Sequence, residues 1–416
     1  MPWRRPRKVE QRAGSPRSSP EERLELATEG EDDRDTVELA TLDGASIVEA
    51  ATGQPEDEVE ARSDFSSIDV DLIVDASHIT SVAETLPEHG VDLEVDVARG
   101  LRLKNPVLTA SGTFGQGVEY AELIDVARLG AFVNKGTTRN ARPGNPQYRI
   151  AETPAGILNS IGLENPGAAE VARIYGPKWA RLRLPVIVNV AGYSVDDYVF
   201  VVDELAQTPG VVAFELNISC PNVKGGMLFG FDPALAGEVT RAVRGATDLP
   251  IIVKLTPNAP DVVAVARACE EAGADGLTAI NTVLGMRIDV AKRRPMLGTG
   301  SGGLSGPAIR PIAVHITYQV AQAVSIPIIG AGGITDARDA LEFLMAGASA
   351  VQVGTATFAD PTAPIRVIEG LAAYVKQQGL ASVRDIIGAA LPVPAQDNDA
   401  GEDGAGADGA GGGRSQ

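Results

Sequence analysis

The stretch Val211-Val-Ala-Phe-Glu-Leu216 runs directly into Asn217-Ile-Ser-Cys-Pro-Asn-Val-Lys-Gly-Gly226. The first part is a mostly apolar, β-like run of strand length. The second is a Gly/Pro/Asn loop with a thiol, Cys220, set inside it. An apolar strand that ends in reactive and amide side chains is the arrangement of a barrel enzyme, where loops at the carboxyl ends of buried strands hold the chemistry.

Working outward, the same unit repeats. Short β-branched runs at 106–110, 131–135, 186–190, 211–218, 251–255, 276–280, 326–329 and 350–353 make eight candidate strands. Apolar residues recur at helical spacing between them, over 197–206, 233–244, 260–272, 309–323 and 337–346. Two of these helical segments end in Ala-Gly-Ala, at Ala272-Gly-Ala274 and Ala346-Gly-Ala348, where glycine can take the left-handed conformation that stops a helix. Alternating βα units with strands apolar on both faces predict a parallel sheet, and eight of them close into an α/β fold of the (β/α)₈ TIM-barrel type. An open doubly wound sheet fits the strand count and the chain's ending less well. Ahead of the barrel, Leu93-Glu-Val-Asp-Val97 and Leu101-Arg-Leu103 flank Ala98-Arg-Gly100 and predict a β-hairpin placed to plug the barrel floor.

This assigns residues 91–394 to one catalytic domain, a size that suits a single α/β unit. Residues 1–90 begin with Arg4, Arg5, Arg7, Lys8 and Arg12 and then turn strongly acidic; they lack the apolar segment of a secretory signal and are expected to be a disordered extension. Residues 395–416 are mostly Gly, Ala and Asp, and are expected to be a flexible acidic tail. The formal charge of −19 argues against a nucleic-acid partner. No apolar run approaches the ~20 residues that span a bilayer. Two cysteines make neither a disulfide nor a zinc framework, so a cytoplasmic protein is expected.

The strand ends carry the chemistry. The seventh strand enters Gly330-Ala-Gly-Gly-Ile334 and the eighth enters Gly354-Thr355, each just before a helix. In barrels these two loops commonly cradle a phosphate, because glycine lets backbone N–H groups approach the anion and the helix start adds positive potential. The other strand ends present Ser111, Lys135, Asn189, Asn217, Lys254 and Asn281-Thr282. A lysine inside an apolar strand, as in Ile251-Ile-Val-Lys254, is costly to bury unless an anion or a ligand dipole meets it. Two lysines and several amides describe a pocket for a flat, polar, electron-accepting ring with a phosphate tail, such as flavin mononucleotide (FMN). Cys269, at an apolar position of a helical segment, reads as packing.

With these residues in place, the chain resembles the soluble class 1 dihydroorotate dehydrogenases, and more specifically the NAD-linked class 1B. The resemblance covers about 91–392. Its motifs are Ala110-Ser-Gly-Thr-Phe-Gly115, Asn159-Ser-Ile-Gly-Leu163, the loop Asn217 to Gly226, Lys254-Leu-Thr-Pro-Asn258, Ile280-Asn-Thr282, Gly285-Met-Arg-Ile-Asp289 and Gly302-Gly-Leu-Ser-Gly-Pro-Ala308.

The resemblance implies one FMN per chain, held by Ser111, Lys135, Gly136, Asn189, Asn217, Lys254, Ile280, Gly306, Gly332, Gly333, Gly354 and Thr355. It implies dihydroorotate contacts at Lys135, Asn159, Ser160, Ile161, Gly162, Leu163, Asn217, Asn281 and Thr282, with Cys220 as the catalytic base and Asn222 as a further amide near the ring. It also implies a homodimer flanked by two electron-transfer subunits that carry FAD and a 2Fe–2S cluster. This chain cannot hold such a cluster itself, since four thiolates are required and two cysteines are present. The membrane-bound class uses serine as its base and has an apolar N-terminal segment, neither of which is found here. The three histidines, His78, His89 and His315, lie away from the strand ends, unlike those of hydroxy-acid oxidases and old-yellow-enzyme relatives. The alternatives are a fumarate-linked class 1A enzyme and an FMN-dependent dihydropyrimidine dehydrogenase. More distant readings are a flavin-free isomerase or lyase acting on a sugar phosphate, which a colourless purified protein would favour, and a regulatory role for the extension.

Overall fold

A computed structural model describes residues 90–219 and 229–392. The extension up to residue 89, the acidic tail, and the part of the 217–226 loop that contains Cys220 and Asn222 lie outside the described residues.

A hairpin of β1 (Val95–Ala98) and β2 (Leu101–Leu103) opens the described chain, followed by β3 (Val107–Thr109), β4 (Ala131–Val133), β5 (Ile150–Thr153), β6 (Gly156–Asn159), α1 (Ala168–Trp179), β7 (Val186–Val190), α2 (Val195–Leu205) and β8 (Val211–Asn217). Then come α3 (Pro233–Ala246), β9 (Ile251–Lys254), α4 (Val262–Glu271), β10 (Gly276–Ala279), β11 (Val283–Gly285), β12 (Ile288–Asp289), β13 (Arg294–Pro295) and β14 (Gly302–Ser305). The chain continues through α5 (Arg310–Ala321), β15 (Ile328–Ala331), α6 (Ala337–Met345), β16 (Ala350–Val353), α7 (Ala356–Ala359) and α8 (Ala363–Gln377).

Strands β3, β4, β7, β8, β9, β10, β15 and β16 pair in parallel in that order, and β16 closes on β3. This is the expected eight-stranded barrel. Most of its strands are buried along their whole length, which is why they read as continuous apolar runs. The first crossover differs from the rest: between β3 and β4 there are only two 3₁₀ turns, at Val118–Tyr120 and Val126–Arg128. The seventh strand starts at Ile328 rather than 326, because Pro327 has no N–H for the ladder, although its carbonyl still accepts from Leu277 N at 2.9 Å. Gly273 and Gly347 adopt φ of +100° and +104°, and each turns the chain from a helix into the next strand as the Ala-Gly-Ala pattern implies. No helix among the described residues is long and apolar enough to cross a membrane.

The β1–β2 hairpin lies against the amino-terminal ends of the barrel strands. Arg99 N donates to Asp275 O at 3.1 Å, and a side chain at Gly276 would meet Val97 O at 2.8 Å. Asp275, 3% exposed, also accepts from the guanidinium groups of Arg99 and Arg244 and from Ile251 N at 2.9 Å. One buried carboxylate thus ties together the hairpin, α3 and the start of β9.

At the opposite end, β5 and β6 pair with β14 and β11 as a four-stranded antiparallel sheet, order β11-β14-β6-β5, which the sequence reading did not anticipate. Its apolar side is a small separate cluster of Ala151, Leu158 and Leu297, with Met296 and Leu304 packed on it. The row Leu284–Gly303–Asn159–Ile150 runs straight across the sheet, so Asn159 lies on the side away from that cluster.

Candidate active site

Side chains alternate along a strand, and the barrel register fixes which ones share the interior. Asn189 is in register with Glu215, Asn217 with Lys254, and Lys254 with Thr278. These residues form a polar layer near the carboxyl ends of the strands. Glu215 is fully buried and accepts from Asn189 Nδ2 at 2.7 Å, Thr278 Oγ1 at 2.8 Å and Gln352 Nε2 at 2.6 Å. Lys254 Nζ lies 3.5 Å from Glu215 Oε1 and donates to Gln352 Oε1 at 3.0 Å. The anion that a buried lysine needs is therefore a residue of this chain, and neither Glu215 nor Gln352 was singled out from the sequence.

The amides come together above this layer. Asn281 Nδ2 donates to Asn217 Oδ1 at 3.2 Å, and Asn281 Oδ1 accepts from Thr282 N at 2.8 Å. Asn258 fixes the same loop, donating to Thr282 O at 3.2 Å and accepting from Leu284 N at 2.9 Å. Asn159 Nδ2 donates to Gly303 O at 3.1 Å, and the Ser160 hydroxyl accepts from Thr299 Oγ1 at 2.7 Å. The backbone then takes consecutive left-handed conformations at Gly162 (φ +81°) and Leu163 (φ +57°). A Cβ at Gly162 would stand 2.5 Å from Asn145 N, so the tight 159–163 loop depends on that glycine. Ile161 is half-buried in it.

Gly306, Gly333 and Thr355 line one cavity of about 460 Å³, together with Gly156, Ile157 and Thr335. Thr355 Oγ1 donates to Ser305 Oγ at 2.8 Å, which joins the eighth strand end to β14. Gly333 has φ +76°, and a Cβ there would stand 2.7 Å from Gly306 O. A Cβ at Gly332 would stand 2.6 Å from the Ala313 Cβ and one at Gly354 would stand 3.2 Å from the Ala110 Cβ, so a side chain at any of these positions would meet atoms already packed there.

A ring-shaped ligand has partners waiting. The Asn189 side-chain oxygen is buried with no hydrogen-bond partner among the described residues, and a Cβ on Gly136 would stand 3.0 Å from it. Ile280 is buried beside this layer. Lys135, half-buried, follows β4 and makes no ion pair with a described residue; its N donates to Gly115 O at 2.8 Å. Ser111, half-buried, follows β3. An orphan acceptor, two lysines, paired amides and a glycine cradle fit a flat heterocycle with an anionic tail. Cys269 is fully buried, and burial pushes its thiol up to about 12, so it is packing as expected. His315 is exposed on α5 and takes no part.

Sequence comparison decides the family. The dihydroorotate dehydrogenase family model matches residues 93–375. The chain belongs to the dihydroorotate dehydrogenase family. Within it, the chain is 52% identical over 299 residues to the protein of Pelobacter propionicus named dihydroorotate dehydrogenase B (NAD(+)), catalytic subunit, covering 72% of this chain and 98% of that protein. Proteins of the same name from Geobacillus kaustophilus (53% over 290 residues, 70% of this chain and 93% of that protein) and Bacteroides thetaiotaomicron (50% over 299 residues, 72% and 98%) are similar to the same extent. The dihydroorotate dehydrogenase match spans the whole barrel up to α8.

Proposed function

We propose that this chain is the catalytic subunit of an NAD-linked dihydroorotate dehydrogenase, oxidising (S)-dihydroorotate to orotate for pyrimidine synthesis with one bound FMN. The observation that carries this is the polar layer of Asn189, Glu215, Lys254 and Gln352 beneath the Asn217–Asn281 pair, in a chain half identical to proteins bearing that name.

In this reading Lys254 and Asn189 hold the ring, Ser111, Lys135, Gly136, Asn217 and Ile280 border it, and Gly306, Gly332, Gly333, Gly354 and Thr355 hold the phosphate. The bound FMN would supply a two-electron acceptor for the hydride that leaves C6 of the substrate. Asn159, Asn217 and Asn281 bind the pyrimidine carbonyls and ring N–H groups, Thr282 and the 160–163 loop enclose it, and Lys135 meets its carboxylate. Cys220 takes the proton from C5. A free thiol titrates near ~8.5, so turnover should climb toward alkaline pH.

A partner subunit holding FAD and a 2Fe–2S cluster would carry the electrons on to NAD, in a heterotetramer built on a dimer of this chain. The word "subunit" in the relatives' names supports a separate partner. A cytoplasmic location suits a free thiol base and a chain of charge −19.

The test is steady-state turnover with an artificial acceptor on the purified chain. Dihydroorotate should be oxidised and dihydrouracil, which lacks the carboxylate, should not; NAD should be reduced only when the partner is added. Equal rates on both substrates would overturn the substrate assignment, and NAD reduction by the chain alone would overturn the partner. In Gly333→Ala, the Cβ would crowd Gly306 O at 2.7 Å and strain a left-handed backbone. Retention of FMN after gel filtration should fall by about tenfold or more, as expected for loss of one or two cradle hydrogen bonds; unchanged retention would place the phosphate elsewhere.

A further inference from the structure

We infer that Glu215 is a positioning residue for the flavin site, one that sets the direction of the Lys254 ammonium and of the Asn189 amide. The inference rests on the FMN reading above, which counts Glu215 in the polar layer but gives it no task of its own.

Glu215 has no exposure, and its carboxylate has about four acceptor sites, two per oxygen. Four donors surround them: Asn189 Nδ2 and Lys254 Nζ at Oε1, and Thr278 Oγ1 and Gln352 Nε2 at Oε2. With every acceptor site engaged by protein, Glu215 has no lone pair left for substrate or ring, so it serves neither as a base nor as a direct contact. It orients what surrounds it instead. By taking Asn189 Nδ2, it turns the amide so that Oδ1 is the unpartnered atom beside Gly136. Among the described residues, it and Gln352 occupy two of the three donor directions of the Lys254 ammonium, and the third is open to a ligand. It also neutralises a cation that would otherwise stand alone in the barrel interior, where charge interactions are strong. Glu215 therefore tempers the positive field that Lys254 applies to a ring gaining negative charge on reduction.

The experiment compares Glu215→Gln, Lys254→Met and the double variant, with two readouts: the melting temperature of the FMN-free chain and the midpoint potential of bound FMN. Lys254→Met strands a buried carboxylate and should lower the melting temperature by roughly 5–10 °C. Adding Glu215→Gln removes the stranded charge and should restore at least half of that loss. The FMN potential should move positive in Glu215→Gln and negative in Lys254→Met. Additive losses in melting temperature, or a Glu215→Gln potential equal to that of the parent, would overturn the inference. If Glu215→Gln alone yields no folded protein, the double variant decides, and its melting no higher than Lys254→Met overturns the pairing. A parent chain that takes up no FMN overturns the parent reading and the flavin role of Glu215 with it, while the melting comparison still judges the Glu215–Lys254 pairing separately.

Discussion

Cys220→Ala is expected to lower dihydroorotate turnover by about 10²–10⁴-fold, the usual worth of a positioned general base. Strand β8 delivers Glu215 and Asn217 to the interior, and Cys220 follows Asn217 by three residues in the sequence. The cradle at Gly306, Gly333 and Thr355 and the Glu215–Lys254 layer are built from other residues, so FMN content is expected to stay at the level of the parent. The two effects separate chemistry from binding. The parent should gain rate as pH rises through the range in which a thiol ionises, near ~8.5, and the alanine variant should lose that rise. A variant as fast as the parent at every pH would remove Cys220 from the mechanism.

Asp275→Ala is expected to have the largest effect on stability, about 3–5 kcal/mol measured by denaturant unfolding. The carboxylate is 3% exposed and is shared by Arg99, Arg244 and the Ile251 N–H. Its removal leaves the Arg244 guanidinium, itself about one quarter exposed, without its carboxylate at the barrel floor, held among the described residues only by the Thr247 and Leu249 carbonyls. It also leaves a buried strand N–H unsatisfied, which alone costs about 1–3 kcal/mol. The damage lies at the end of the barrel away from the site, so the folded fraction of the variant should keep the FMN affinity of the parent. A loss under about 1 kcal/mol would mean that the hairpin and α3 are held by apolar packing, with the ion pairs contributing as little as exposed ones do.

The barrel was legible because strands buried on both faces leave a strong mark: Val186-Ile-Val-Asn-Val190 and Ile251-Ile-Val-Lys254 can be little else in a chain that alternates with amphipathic helices. The helix ends at Gly273 and Gly347 were legible for a conformational reason, since few other residues occupy that region of φ. The antiparallel sheet over the site was not. Its strands are three or four residues long and partly exposed, and β14 meets β6 across 144 positions at the Gly303–Asn159 pairing. Short, partly exposed strands joined through such distant pairings carry no local pattern. Glu215 was passed over inside a run read as apolar, although the argument that singled out Lys254 applies equally to a carboxylate in a buried strand. That these two residues meet depends on the register of β8 against β9, with Asn217 opposite Lys254, and register is set by closure of the whole barrel.

The central claim is that a hydride leaves the pyrimidine for a flavin seated on the Lys254 layer. Anaerobic mixing of the purified chain with dihydroorotate, without any partner subunit or acceptor, tests it in one turnover. The flavin band at about 450 nm should bleach with one orotate formed per FMN. A band that persists while dihydroorotate is in excess would contradict the account.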